Sequence, residues 1–227
     1  MLRYASAIPM PSCLEQLDLY YPHWRFMLSP ASVSSVRKSN MHLLSERGYA
    51  IDNGAYAYHM KGQPFNRSAF IQLLDKYSHQ ADWIAIPDSI GNWEETIEMF
   101  MLWLPILWQY QRPLMIVAQD GSERGDFQEL RAIMRKDFGL PIGVFIGGTT
   151  DWKLKHSPDI AQICNELDRT CHVGRVNSIR RTRLCHAWGV SSFDGSGMSR
   201  FTSTARRVSQ EMNRLYLTQA EEENYHV

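Results

Sequence analysis

Short apolar runs that each stop at a polar residue or a glycine recur along this chain, and they constrain its fold more than any other feature. The run 49–51 ends in Asp52-Asn53-Gly54, and the run 83–87 ends at Asp88. The run 114–118 leads into Gln119-Asp120-Gly121, and 143–146 into Gly147-Gly148-Thr149. Residues 171–173 lead into Gly174-Arg175, and the last run stops at Phe193-Asp194-Gly195. With weaker runs near 3–8 and 25–28, the strands are expected at 3–8, 25–28, 48–51, 83–87, 114–118, 144–146, 172–176 and 190–193. Helical spacing of apolar residues fills the intervals at 31–47, 67–77, 93–110, 127–138, 159–168, 178–188 and 199–217. Asn66 suits a helix start, and Gly139, Pro141 and Gly189 suit helix stops. Strands that are apolar on both faces and alternate with helices indicate a parallel sheet covered on both sides. Eight of them predict a compact (β/α)8 barrel of the TIM type, with an open doubly wound sheet as the alternative.

A chain of 227 residues suits one such domain spanning 1–227. No apolar stretch approaches the roughly 20 residues of a membrane span; the longest, 99–108, is interrupted by Pro105. The first residues lack the basic-then-apolar pattern of a signal peptide, so the cytoplasm is the expected compartment. Cys13, Cys164, Cys171 and Cys185 are scattered without a C-x-x-C pair. Reduced, buried thiols are expected rather than a metal site. The chain has neither a P-loop nor a G-x-G-x-x-G fingerprint, so no cofactor is expected. Net charge is formally zero, yet Arg175, Arg180, Arg181, Arg183, Arg200, Arg206, Arg207 and Arg214 crowd the last quarter ahead of the acidic run Glu221-Glu222-Glu223. Guanidinium groups match phosphate bidentately, which points to a phosphate-bearing partner; solvated helix faces are the plainer reading.

In a (β/α)8 barrel the reactive groups stand at the C-terminal ends of the strands. Asp52, Asp88, Gln119, Gly147 and Asp194 occupy those positions. Carboxylates sharing a pocket suit cleavage of a glycosidic bond, one carboxylate meeting the sugar carbon while another handles the proton. Gly147-Gly148 lets backbone approach a flat ligand. Asp88 and Gln119 can read a heterocycle edge, with Asn53 beside them, and Tyr56 or Phe145 can stack on it or simply pack. Each position also has a plain reading: Asp52-Asn53-Gly54 is a good turn sequence, Asp88 a helix cap, and Gly147-Gly148 a hinge. Their joint occurrence at successive strand ends favours a site.

The order Asp52-x-Gly54, Pro87-Asp88, Val117-x-Gln119-x-Gly121, Gly147-Gly148, Val173-Gly174, Phe193-Asp194 and Arg200 resembles the tRNA-guanine transglycosylase superfamily, and more closely its smaller members that install 7-deazaguanine bases in DNA. The resemblance implies a modified (β/α)8 barrel. It implies Asp194 as the nucleophile at C1′, Asp52 as the proton-transfer group, and Asp88, Gln119 and Gly148 as readers of the base. The zinc-binding C-x-C-x-x-C pattern of the tRNA enzymes has no counterpart here, which turns the expectation from tRNA to DNA. The implied partners are a flipped-out or single-stranded DNA nucleotide and a free 7-deazaguanine base, with no membrane. Arg175 and Arg200 are the first candidates for the phosphates, and Arg180 and Arg181 the next. If water rather than a base resolves the intermediate, the chain is a DNA glycosylase, for instance against modified phage DNA. A tRNA-guanine transglycosylase-like enzyme, a non-catalytic nucleic-acid-binding subunit and an unrelated barrel glycosidase are the further alternatives.

Overall fold

The computed structural model describes residues 1–225. Side chains from residue 219 on, including the acidic run at 221–223, and the last two residues of the expected domain lie outside that description. Eight parallel strands close into a barrel in chain order: β1 Leu2–Ser6, β2 Trp24–Leu28, β3 Tyr49–Ile51, β4 Ala81–Ala85, β5 Leu114–Ala118, β6 Ile142–Ile146, β7 Cys171–Val173 and β8 Ser192–Gly195. The helices are α1 Pro11–Tyr20, α2 His42–Arg47, α3 Ala55–His59, α4 Arg67–Tyr77, α5 Trp93–Trp108, α6 Phe127–Arg135, α7 Thr150–Glu166, α8 Ile179–Ala187, α9 Gly197–Arg200 and α10 Thr202–Tyr225. This is the expected (β/α)8 architecture, not the open sheet. No described helix is long and apolar enough to cross a membrane.

Strand alternation separates two apolar layers. Tyr4, Met27, Ala50, Trp83, Ala85 and Met115 fill the barrel interior, with Phe145 packed against them. The other strand faces, among them Phe26, Ile51, Ile84, Ile116, Val144 and Phe193, meet the helices in the larger core. The interior is thus packed shut below the rim, and only the C-terminal mouth is hollow. Three crossover helices start at that rim with side-chain caps: Asn92 accepts from the Glu95 N–H at 3.1 Å, Thr149 from the Trp152 N–H at 3.3 Å, and Ser178 from the Arg181 N–H at 3.3 Å. Each such cap contributes about 1 kcal/mol and fixes where its loop leaves the strand.

Several elements depart from the sequence reading. The interval 31–47 is not one helix; it holds 3-10 turns at Val33–Ser35 and Lys38–Asn40 before the short α2. Its serines bind local backbone instead: Ser32 Oγ accepts from the Ser29 N–H at 2.9 Å and Ser35 Oγ donates to Ser32 O at 2.8 Å. Such bonds compete with the helical ladder. α7 begins at Thr150, well before 159, and carries Pro158 inside it. The closing helix is broken at Phe201 into α9 and α10. Asp194 lies within β8, not beyond its end. All four cysteines are buried and unpaired.

Candidate active site

A cavity of about 300 Å³ opens at the barrel mouth, lined by Ser6, Asp52, Asn53, Tyr56, Asp88, Gln119, Phe145, Gly147, Gly148, Gly174, Arg175, Asp194 and Arg200, among others. The three aspartates expected on one rim therefore share one cavity. Phe145 forms part of its floor, its ring 4.7 Å from the His172 ring and 6.0 Å from that of Trp83.

Asp194 is buried and bound at both oxygens. Oδ1 accepts from the Arg175 backbone N–H at 3.0 Å and lies 3.4 Å from His172 Nε2; Oδ2 accepts from the Ser6 hydroxyl at 2.9 Å. His172 Nδ1 lies 2.8 Å from the Ser192 hydroxyl. Burial pushes the His172 pKa below its ordinary value against the opposing pull of Asp194, so the ring is neutral. The tautomer that satisfies every group has Ser192 donating to Nδ1 and Nε2–H donating to Asp194. Burial alone would raise the Asp194 carboxyl, but His172, the Arg175 N–H and Ser6 outweigh it and hold the group below the ordinary carboxylate range.

Asp52 behaves in the opposite sense. Desolvation, then the charges of Asp194 and Asp88, push its pKa up to about 7, against backbone N–H groups of Gly54 and Asn53. Asp88 is raised to about 6 by burial, with the amides of Asn53 and Gln119 opposing. The cavity thus holds one carboxylate kept ionised and another poised to carry a proton near neutrality, the arrangement that divides acid and base roles between like groups.

The amides are committed to holding Asp88. Asn53 Nδ2 donates to Asp88 Oδ1 and to Ile86 O, both at 2.7 Å, and its Oδ1 accepts from the Ala55 N–H at 2.7 Å. Asn53, expected to meet the base, lines the cavity but spends both amide hydrogens on the protein, leaving only acceptor capacity at Oδ1. Gln119 donates its amide to Asp88 Oδ2 and to Ser89 O, leaving its Oε1 free on the Gly147 side of the cavity. Gly148 has φ +80°, and a side chain there would meet Asp120 Oδ2 at 2.6 Å. Asp120 in turn accepts from the Thr149 hydroxyl at 2.7 Å, joining the loops after β5 and β6.

The arginines divide. Arg175, at φ 59°, lines the cavity; its guanidinium donates to Gly148 O and sits 4.0 Å from the Tyr56 ring centre. Tyr56 is 42% exposed, so the ring offered for stacking already carries a protein cation on one face. Arg200 is exposed and lines the cavity. Arg180 is exposed and does not line it. Arg181 is also outside it and braces the loop, donating to Arg175 O at 3.0 Å.

No protein-family model matches the chain, and no curated protein matches it. Among solved structures, a 3-hexulose-6-phosphate synthase aligns over 94% of this chain and 98% of its own, with a TM-score of 0.53 at 12% identity. The likeness is one of fold. RipC from Yersinia pestis aligns over 92% of this chain and 93% of its own, with a TM-score of 0.48 at 10% identity.

Three residues of the site escaped the sequence. Ser6 lies in a weak first strand and has no motif around it. His172 stands in β7 two residues before Gly174, so both face the interior, which strand alternation could have revealed. Lys153, buried at 4% exposure, donates from Nζ to Gly174 O at 2.6 Å, and nothing short of the fold points to it. Among the described residues no three His, Cys, Asp or Glu side chains converge as a metal-ligand set.

Proposed function

We propose that this chain cleaves the N-glycosidic bond of a nucleobase in DNA through a covalent ester between Asp194 and the sugar, and exchanges the base for a 7-deazaguanine. The observation that carries the reading is the pairing, in one cavity, of a carboxylate fixed by three donors with a second held partly protonated. The order of motifs resembling the small DNA-acting transglycosylases supports the same assignment. In the first step an Asp194 oxygen attacks C1′, the C1′–N bond breaks, and its electron pair leaves with the base. Asp52 supplies the proton that neutralises the leaving base. In the second step a ring nitrogen of the incoming base attacks C1′, the ester bond breaks, and Asp52 takes the proton released. Asp194 returns as the free carboxylate. Asp88, held by Asn53 and Gln119, accepts from donors on the base edge, and Arg200 meets a backbone phosphate at the mouth.

The deciding experiment incubates the protein with single-stranded and duplex DNA, with and without a labelled 7-deazaguanine base. Incorporation of label, with an Asp194-linked DNA adduct in denaturing mass spectrometry, supports exchange. Alkali-labile sites without incorporation assign the second step to water and make the chain a glycosylase. Neither adduct, label nor strand lability on any DNA would overturn the reading.

A further inference from the structure

Lys153 lies in the first turn of α7, outside the cavity, yet its ammonium reaches the strand that carries the site. Nζ donates to the carbonyl of Gly174 at 2.6 Å, and the N–H on the other side of the same peptide bond, that of Arg175, donates to Asp194 Oδ1 at 3.0 Å. The two hydrogen bonds therefore share one peptide unit and run in series, ammonium to carbonyl and N–H to carboxylate. A charged donor on a peptide oxygen strengthens that peptide's N–H as a donor, and more so in a water-poor interior.

The surrounding geometry holds this peptide in one orientation. A Cβ on Gly174 would lie 2.8 Å from the Phe145 ring, and the Gly174 N–H is bound to Ile146 O at 2.9 Å. Arg175 takes the left-handed conformation at φ 59°, its carbonyl is held by Arg181 at 3.0 Å, and the next N–H, of Val176, donates to Asp194 O. A strained non-glycine residue persists only where its neighbours over-determine it. Here the outcome of that strain is an N–H aimed at the carboxylate.

We propose that Lys153 is a positioning residue of the site, clamping and polarising the Gly174–Arg175 peptide so that its N–H holds the Asp194 carboxylate. Burial, then the charges of Arg175 and Arg181, lower the Lys153 pKa to about 8, with Asp194 and Cys185 pulling the other way. These groups, on the loop after β7, on α8 and on β8, together with the His172 imidazole on β7, which feels the Lys153 charge, are its titratable and charged neighbours. The clamp therefore carries its full charge only well below pH 8, is half lost at about pH 8 and weakens further above it.

The inference rests on Asp194 as the reactive carboxylate, but its test needs no turnover and so fails or stands separately from the proposed reaction. Carboxyl NMR of the aspartate-labelled full chain follows the ionisation of Asp194. Lys153→Met should raise its midpoint by on the order of one pH unit, while Lys153→Arg restores it. Lys155→Met, on the exposed side of the same helix, should leave it unchanged. A folded Lys153→Met protein with the parental Asp194 midpoint would overturn the proposal. Should that variant not fold, the parental protein decides: the Arg175 amide resonance should titrate with the Lys153 ammonium near pH 8, and an amide that ignores it overturns the clamp.

Discussion

His172 and Asp194 face each other across neighbouring strands, Nε2 of one 3.4 Å from Oδ1 of the other, and the imidazole is anchored behind by the Ser192 hydroxyl at 2.8 Å. In register, His172 pairs with Ser192, so the contact to Asp194 is the diagonal one on the inner face of the barrel. A neutral ring in this place donates a hydrogen bond to the carboxylate without competing for its charge.

Replacing His172 by Phe keeps the ring and removes the donor. The Asp194 pKa should rise, and turnover should fall on the acid limb of the pH–rate profile, by up to about tenfold for each pH unit of rise, with little loss at about pH 7–8 where the carboxylate stays ionised. The Ser192 hydroxyl, left without its acceptor, should also lower stability by about 1–3 kcal/mol. A pH–rate profile parallel to the parent's at every pH would contradict the assignment.

Asp194→Asn preserves shape and hydrogen-bonding reach but cannot form the sugar ester. Turnover should drop by on the order of 10³-fold or more while affinity for DNA stays within a few-fold. Single-turnover assays and a binding titration separate the two, and near-normal turnover would remove the covalent mechanism.

Asp52 links the site to stability. Its folded pKa of about 7 exceeds the ordinary 3.8, so between these values the folded chain keeps a proton that the unfolded chain has lost. Stability therefore falls as pH rises through that window. Asp52→Asn should melt higher than the parent above pH 7, by on the order of 1–3 kcal/mol once solvent at the half-buried carboxyl is allowed for, and the gain should vanish near about pH 4. Base expulsion, which uses the protonated form, should decline through about pH 7 in the parent. Melting curves whose difference does not depend on pH would exclude this role.

Arg200→Glu should weaken DNA binding across sequences and reduce the salt slope by about 0.9 on duplex DNA, the contribution of one phosphate contact. Arg181→Glu should act differently: as a brace on the Arg175 carbonyl, it should lower stability as well as binding. Titrations at several salt concentrations distinguish the two, and an unchanged slope for Arg200→Glu would sink its phosphate contact.

Much of this was legible in the sequence for a simple reason: strands buried on both faces read as apolar runs, and a barrel aligns all their polar ends. Asp52, Asp88, Gln119 and Gly148 were found in that way, and Asp194 with them despite lying inside β8. What could not be read was decided by contacts distant along the chain. Ser6 meets Asp194 across 188 positions because β1 closes the barrel on β8. α1 has only Cys13 and Leu17 fully buried, too sparse an apolar face to announce itself. Pro158 looks like a helix stop, yet α7 passes through it under the packing of Trp152, Ile160 and Cys164. Local propensity lost to tertiary burial there, as it commonly does.

Arg175 gives the barrel mouth an occupant of its own. Its guanidinium reaches the loop after β6 at Gly148 and the helix after β3 at Tyr56, two points on different sides of the ring of strands. A planar ligand seeking that face of Tyr56 must first evict a cation whose hold on the ring is worth about 0.5–2 kcal/mol. Affinity for such a ligand is then a difference between two guests, and trimming the arginine would make the chamber easier to enter while stripping it of the charge that a phosphate seeks.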